Sequence, residues 1–388
     1  MTIYLINGKI VLRQGILADH VLVIRDGKIA EMLLTDEVND LILKDHQVID
    51  LKGGYICPGW IDIHCHGAVG VDVMDGDIKG LMKIARFKAS QGVTGFVPTG
   101  ITASFDQIER AVEVVAKATE INEDGAKILG FHMEGPFINP AKKGAHQEEL
   151  IVPCDTAWTR KLKVNVPGRF IVTVAPETEG ALDYIREMRK EGVLIAVGHT
   201  DGTYDDIRAA YEAGATHGVH TFNGMRGLHH REPGVVGAIM DLPLIAEVIV
   251  DGVHLHPAIV RILSKLKLPD KMVLITDAMR AAGLEDGEYE LGGLKVWKKG
   301  KEARLADGTL AGSTLTMQEA VQNAVRMVGL SIVDVMQMAA TNPARLLGLE
   351  DRKGSIEIGK NADLTLLTPD LEVRETIIEG RVVYQKFN

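Results

Sequence analysis

The 388-residue sequence predicts an α/β fold: a (β/α)8 barrel carrying a small β-sandwich domain built from both termini. Three observations support this. Eight short apolar runs alternate with longer stretches of helical period through the middle of the chain. Nearly all of these runs end on a side chain able to bind a metal or move a proton, as expected if their C-terminal ends share one face. The two ends of the chain carry short strand-like segments around turn dipeptides.

In chain order, "INGKIV" (6–11) and "RDGKIA" (25–30) begin the terminal domain and "IEGRVV" (378–383) ends it. Each sets a turn dipeptide between apolar residues, the pattern of a tight hairpin. Residues 1–57 and 352–388 are therefore expected to form the β-sandwich, and 58–351 the barrel. The eight runs are "GWIDIH" (59–64), "TGFVPTG" (94–100), "KILGFHME" (127–134), "FIVTVAPE" (170–177), "VLIAVGH" (193–199), "HGVHTF" (217–222), "IAEVIVDG" (245–252) and "MVLITDA" (272–278). Amphipathic stretches such as 104–120 and 179–191 separate them. An open doubly wound sheet is the alternative, but it spreads strand ends along an edge instead of gathering them. Residues 283–312 interrupt the alternation with Gly turns and alternating residues. They predict a β insertion over the barrel mouth, serving as a lid or as a dimer contact.

Composition narrows the function. A formal net charge of −10 disfavours nucleic acid and anionic membranes as partners, while leaving room for a local basic pocket. Cys57, Cys65 and Cys154 form no C-x-x-C and suit a reducing compartment. The first residues lack the basic and apolar regions of a secretory signal, so a cytoplasmic location is expected.

Seven runs end at or near His64 and His66, Glu134, Glu177, His199, His220, Asp251 with His254, and Asp277; the eighth ends on Thr99. Residues i and i+2 of a strand share a face, so His64 and His66 both point inward while Cys65 points away. Two imidazoles so placed make a clamp for Zn or Fe. A buried carboxylate is costly unless paired, so Glu134 is expected to bridge two cations. His132 shares its parity. His217 begins its run and reads as structural; His229 and His230 read as surface residues.

These motifs resemble the amidohydrolase superfamily. The segments "HMEGPFINPAKKGAH" (132–146), "GHT" (198–200), "HTFNGM" (220–225), "DGVH" (251–254), "LITDAM" (274–279) and "LAGS" (310–313) resemble, within it, the N-acetylglucosamine-6-phosphate deacetylase family over nearly the whole chain. Strand four ends "VAPE", without the lysine that many superfamily members carry there. The resemblance implies a divalent metal centre, with two ions per chain: one held by His64, His66, Glu134 and Asp277, the other by Glu134, His199 and His220. It implies Asp277 and His146 as catalytic groups. It implies Ala145, His146, Asn223, Gly224, Arg231, His254 and the segment Leu310, Ala311, Gly312 and Ser313 as substrate contacts. The implied substrate is a phosphorylated amino sugar and the implied assembly a homodimer. A D-aminoacylase-like or dipeptidase-like amide hydrolase, or a non-catalytic scaffold, remain the competing readings.

Overall fold

The computed structural model describes residues 2–38 and 43–386. Eight strands form the barrel: β1 (Trp60–Cys65), β2 (Val93–Gly100), β3 (Gly130–Glu134), β4 (Arg169–Val174), β5 (Leu194–Val197), β6 (His217–Gly218), β7 (Ile245–Ile249) and β8 (Met272–Ile275). Each pairs in parallel with the next. The ring closes just past the strand ends, where Asp277 N donates to His64 O at 2.9 Å and His66 N to Ala278 O at 2.9 Å. Helices cover the outside, and their starts are written in the sequence. Ser104 caps the helix Phe105–Ile121, and the Gln107 side chain accepts in return from Ser104 N at 3.0 Å. Thr203 and Asp206 form the same box before the helix Tyr204–Ala213.

Two runs differ from expectation. The run 127–134 breaks at Leu129, because Leu129 N donates to Phe96 O while Gly130 packs against the Arg169 backbone. The run 217–222 is a strand only at His217–Gly218. Beyond it the chain turns, with positive φ at His220 and Phe222, and Glu247 on β7 accepts from His220 N at 3.2 Å.

The termini supply two sheets. One contains Thr2–Ile6, His20–Arg25, Lys28–Leu34 and Gln47–Asp50. The other joins Lys9–Leu12, Gly15–Leu17 and Tyr55–Pro58 to the C-terminal strands Leu364–Leu367, Val373–Ile378 and Arg381–Gln385. Leu5, Leu22, Ile10, Ile56, Leu364 and Ile377 share the apolar core between them. Asp26-Gly27 and Glu379-Gly380 turn true hairpins, with both residues at positive φ. Asn7-Gly8 does not. Only Asn7 has positive φ, and the flanking strands enter different sheets, so this dipeptide is a corner. Pro58 and Gly59 carry the chain from sheet to barrel; a Cβ on Gly59 would lie 2.3 Å from the Thr94 side chain. The insertion forms a three-stranded antiparallel sheet of Gly287–Leu291, Leu294–Lys299 and Glu302–Arg304.

Below the seam of β1 and β8 lies a fully buried ion pair. Lys88 Nζ, from the helix Ile78–Ser90, is 2.6 Å from Asp62 Oδ2. Asp62 also accepts from Thr276 Oγ1 at 2.6 Å and Thr276 N at 3.2 Å. Burial alone would lower the Lys88 pKa, but the Asp62 carboxylate reverses this and holds it above the ordinary lysine range. Removing one partner strands a charge. Lys88→Met should cost about 3–5 kcal/mol in denaturant unfolding, and Asp62→Asn in the same background should recover part of that loss. A Lys88→Met loss below about 1 kcal/mol, the range of surface pairs, would refute the seam role.

Candidate active site

The strand ends converge on Glu134, which closes β3. His220 Nε2 is 2.8 Å from its Oε1, His199 Nε2 3.2 Å and His64 Nε2 3.4 Å. His66 Nε2 is 3.1 Å from its Oε2. Asp277, just past β8, lies 3.3 Å from His66 Nε2 and 3.6 Å from His64 Nε2. All six side chains are buried. His199, His220 and Asp277 have φ of 46°, 27° and 51°, the left-handed region that non-glycine residues avoid. Such backbone strain persists where surrounding structure enforces it, commonly at functional sites.

Three of the four imidazoles on Glu134 are held from behind. His199 Nδ1 is 2.8 Å from Lys142 O, and His220 Nδ1 3.2 Å from Asn223 O. His64 Nδ1 is 3.1 Å from Glu247 Oε2. This leaves Nε2 of His64 buried without a hydrogen-bond partner, between two carboxylates. An orphaned imidazole nitrogen beside carboxylates and further imidazoles is the donor set that divalent zinc or iron takes. The ligand atoms of His64, His66 and Glu134 lie within 4.8 Å of one another, as do those of Glu134, His146 and His199.

Burial favours a protonated Glu134 and Asp277, but the surrounding imidazoles outweigh it. Glu134 is held well below the usual carboxylate range, chiefly by His64 and then by its bonds with His199 and His220. Asp277 is brought to about 2, by the charge on His64 and the bond with His66. His66 is lowered by burial yet raised to about 9 by its bonds with Asp277 and Glu134. His146 is driven well below 6.5 by burial and then by His199, which outweigh the opposing charge of Glu134.

Above the cluster opens a cavity of about 340 Å³. His66, Glu134, Ala145, His146, His199, His220, Asn223, Gly224, His254, Asp277, Leu310 and Gly312 line it. His64 sits below. Ala311 turns instead into an apolar cluster with Met279 and Val296. Ser313 Oγ donates to Thr276 O at 2.5 Å and so supports β8 rather than the cavity. Arg231 also lies outside the lining: it is exposed, with Nη1 2.6 Å from His230 Nε2. The lining arginine is Arg304 of the insertion, tied to Glu302 Oε2 at 2.7 Å and Gly308 O at 2.6 Å. Glu177 does not line the cavity either; it accepts from Asp201 N, Asn139 Nδ2 and the Thr200 hydroxyl, fixing the turn that carries His199. Asp251 Oδ2 holds His254 Nδ1 at 2.6 Å. Sequence reading missed Glu247, Asp62 and Arg304. A carboxylate within an apolar run was the available signal for the first two.

The His66 shift gives a test with a defined sign. Its pKa rises from 6.5 to about 9 in the metal-free fold. That contributes stability below about pH 6.5 which is lost as pH rises through about 9. A cation at His66 must expel the proton. Zinc added to metal-free protein at pH 7.5 should therefore release protons, measured with a pH indicator, and the release should fade above pH 9. Release that does not change between pH 7 and 10 would contradict the assignment of His66 to the cation.

A model of the amidohydrolase family matches residues 55–383. The chain is 40% identical to an N-acetylgalactosamine-6-phosphate deacetylase of Escherichia coli O157:H7, over 98% of this chain and 99% of that one. It is 38% identical to an N-acetylglucosamine-6-phosphate deacetylase of Bacillus subtilis, over 93% and 92%. Among solved structures, the N-acetylglucosamine-6-phosphate deacetylase of Pasteurella multocida superposes with a TM-score of 0.94 at 31% identity, covering 100% of both chains. A mutant of the Mycobacterium smegmatis enzyme, solved with N-acetyl-D-glucosamine-6-phosphate, gives 0.90 at 32% identity, covering 99% of both.

Proposed function

The chain belongs to the amidohydrolase family, and on that premise we propose that it hydrolyses the acetamide of N-acetylglucosamine 6-phosphate, releasing glucosamine 6-phosphate and acetate in amino-sugar catabolism. The observation that carries this reading is the gathering of Glu134, His66, His199, His220 and Asp277 beneath one cavity. The C4 epimer, N-acetylgalactosamine 6-phosphate, is the second reading, because a relative of 40% identity is named for it.

The residues fit two divalent ions, zinc or iron. His64, His66, Glu134 and Asp277 would hold one, and Glu134, His199 and His220 would hold the other. Such ions supply Lewis acidity and lower the pKa of water toward about 7. Asp277, ionised at neutral pH, accepts the proton of the attacking water and delivers it to the departing amine nitrogen. His146 polarises the acetyl carbonyl. Asn223, Gly224, His254 and Leu310 line the space left for the sugar. We further infer a homodimer in which Arg231 reaches the phosphate in the partner's cavity, its exposure and its place outside the lining of its own cavity being the support. The unpaired cysteines support a cytoplasmic setting, and among the described residues no helix is long and apolar enough to cross a membrane.

Acetate release from N-acetylglucosamine 6-phosphate, its C4 epimer and unphosphorylated N-acetylglucosamine tests the substrate. The first should have the highest kcat/KM; equal efficiency on the unphosphorylated sugar would revive a general aminoacylase. Elemental analysis should approach two metals per chain, and a value fixed at one after supplementation would exclude the paired site. Asp277→Asn should keep substrate binding and lose about 10²–10⁴ in kcat. Loss of an ion from that variant would reassign the defect to metal binding. Mixing Asp277→Asn with Arg231→Ala subunits should restore activity that neither has alone; no restoration would argue against a shared site.

A further inference from the structure

Strand β2 closes with Thr99 and Gly100, without an acid or imidazole, and Thr99 serves the scaffold: its hydroxyl accepts from Cys65 N at 2.9 Å. Three residues on, Thr102 enters the site from behind. Its Oγ1 lies 2.6 Å from His146 Nδ1, and both residues are buried. The contact has built space around it. Gly135, in the turn after β3 with φ of 77°, faces the Thr102 hydroxyl so closely that a Cβ there would lie 2.0 Å from Oγ1. His146 Nε2 points the other way, into the cavity, 3.7 Å from Glu134 Oε2.

We propose that Thr102 is a positioning residue that donates its hydroxyl proton to His146 Nδ1, so fixing the imidazole proton on Nε2, where it faces the substrate carbonyl. The direction follows from satisfaction of polar groups. A threonine hydroxyl carries one proton, and His146 Nδ1 is the acceptor the fold offers it. If Nδ1–H donated instead, the buried hydroxyl proton would lack a partner and its desolvation would go unrepaid. The same bond decides between two roles for His146. With its proton on Nε2 it can stabilise the tetrahedral oxyanion as a hydrogen-bond donor. It then has no Nε2 lone pair to give a metal, although its nitrogen lies close enough to Glu134 and His199 to complete a ligand group.

This inference rests on the deacetylation reading only for its catalytic consequence, so the test has two arms. In the first, ¹⁵N spectra of histidine-labelled protein, metal-free and zinc-loaded, identify the His146 signals by their loss in His146→Gln. A pyridine-type Nδ1 and a protonated Nε2 are expected in both states; a proton on Nδ1, or an Nε2 bound to zinc, overturns the proposal. In the second, Thr102→Val, which keeps the shape and removes the hydroxyl, should lower kcat by about 10² with KM and metal content nearly unchanged. Thr102→Ser should restore most of it. A Val variant that folds, holds metal and keeps kcat within about twofold of wild type overturns the proposal. Should wild type release no acetate from any sugar phosphate, the functional reading falls while the spectra still decide the proton's place.

Discussion

The site depends on one buried carboxylate, Glu134. Taking a carboxylate out of water is expensive, and only partners on several sides make it tolerable. Here β1, β5 and β6 each bring imidazole to it, and the loop after β3 adds His146. No single strand could supply that shell. The barrel can, because parallel strands deliver all their C-terminal ends to one face. The fold class thus answers an electrostatic requirement as much as a packing one.

Holding those imidazoles in place takes a further layer below the cavity. Glu247 braces His64 through Nδ1 and at the same time accepts from His220 N, tying β1 to the turn after β6. Asp62 and Lys88 secure the seam where β8 meets β1, directly beneath His64 and Asp277. Asp277 N also donates to His64 O, so the candidate ligand cluster and barrel closure use the same few residues. This is why positive φ at His199, His220 and Asp277 can be sustained: each is pinned by backbone and side-chain bonds that a relaxed turn would forfeit.

The cavity-facing groups were largely legible in the sequence, and the layer beneath them was not. His64 and His66 declared themselves by i, i+2 spacing, and Glu134, His199, His220 and Asp277 by ending apolar runs. Those signals are local. Glu247 sits mid-run in "IAEVIV", where a lone carboxylate stands out, but its partner His64 lies on another strand and local sequence does not name it. Lys88 reads as an ordinary helix lysine, since nothing near it in sequence reveals Asp62. Thr102 lies past the end of its strand, and only the turn at Gly135 shows what its hydroxyl meets. Arg304 lines the chain's own cavity for the same reason: the path of the insertion brings it there, which spacing does not show. Asn7-Gly8 carries the hairpin signal, yet sheet membership, a long-range property, makes it a corner.

Environment then sorts chemically identical side chains into different tasks. Burial lowers the pKa of every one of His64, His66, His132, His146 and His217. Only His64 and His66, which face both Glu134 and Asp277, are raised regardless. They are the pair whose protons a cation bound there would have to displace, so any metal binding would be coupled to proton release. His217 is drawn down to about 4 although Glu247 lies 3.5 Å away, because one carboxylate cannot offset full burial. His132 finds Thr173 and remains scaffold. His146 is also neutral, but its free nitrogen opens onto the cavity, and a neutral imidazole presented there through a fixed proton is a hydrogen-bond donor that needs no change of charge to act. The division between clamp, scaffold and donor is therefore made by how many carboxylates each ring meets and which of its nitrogens is already engaged.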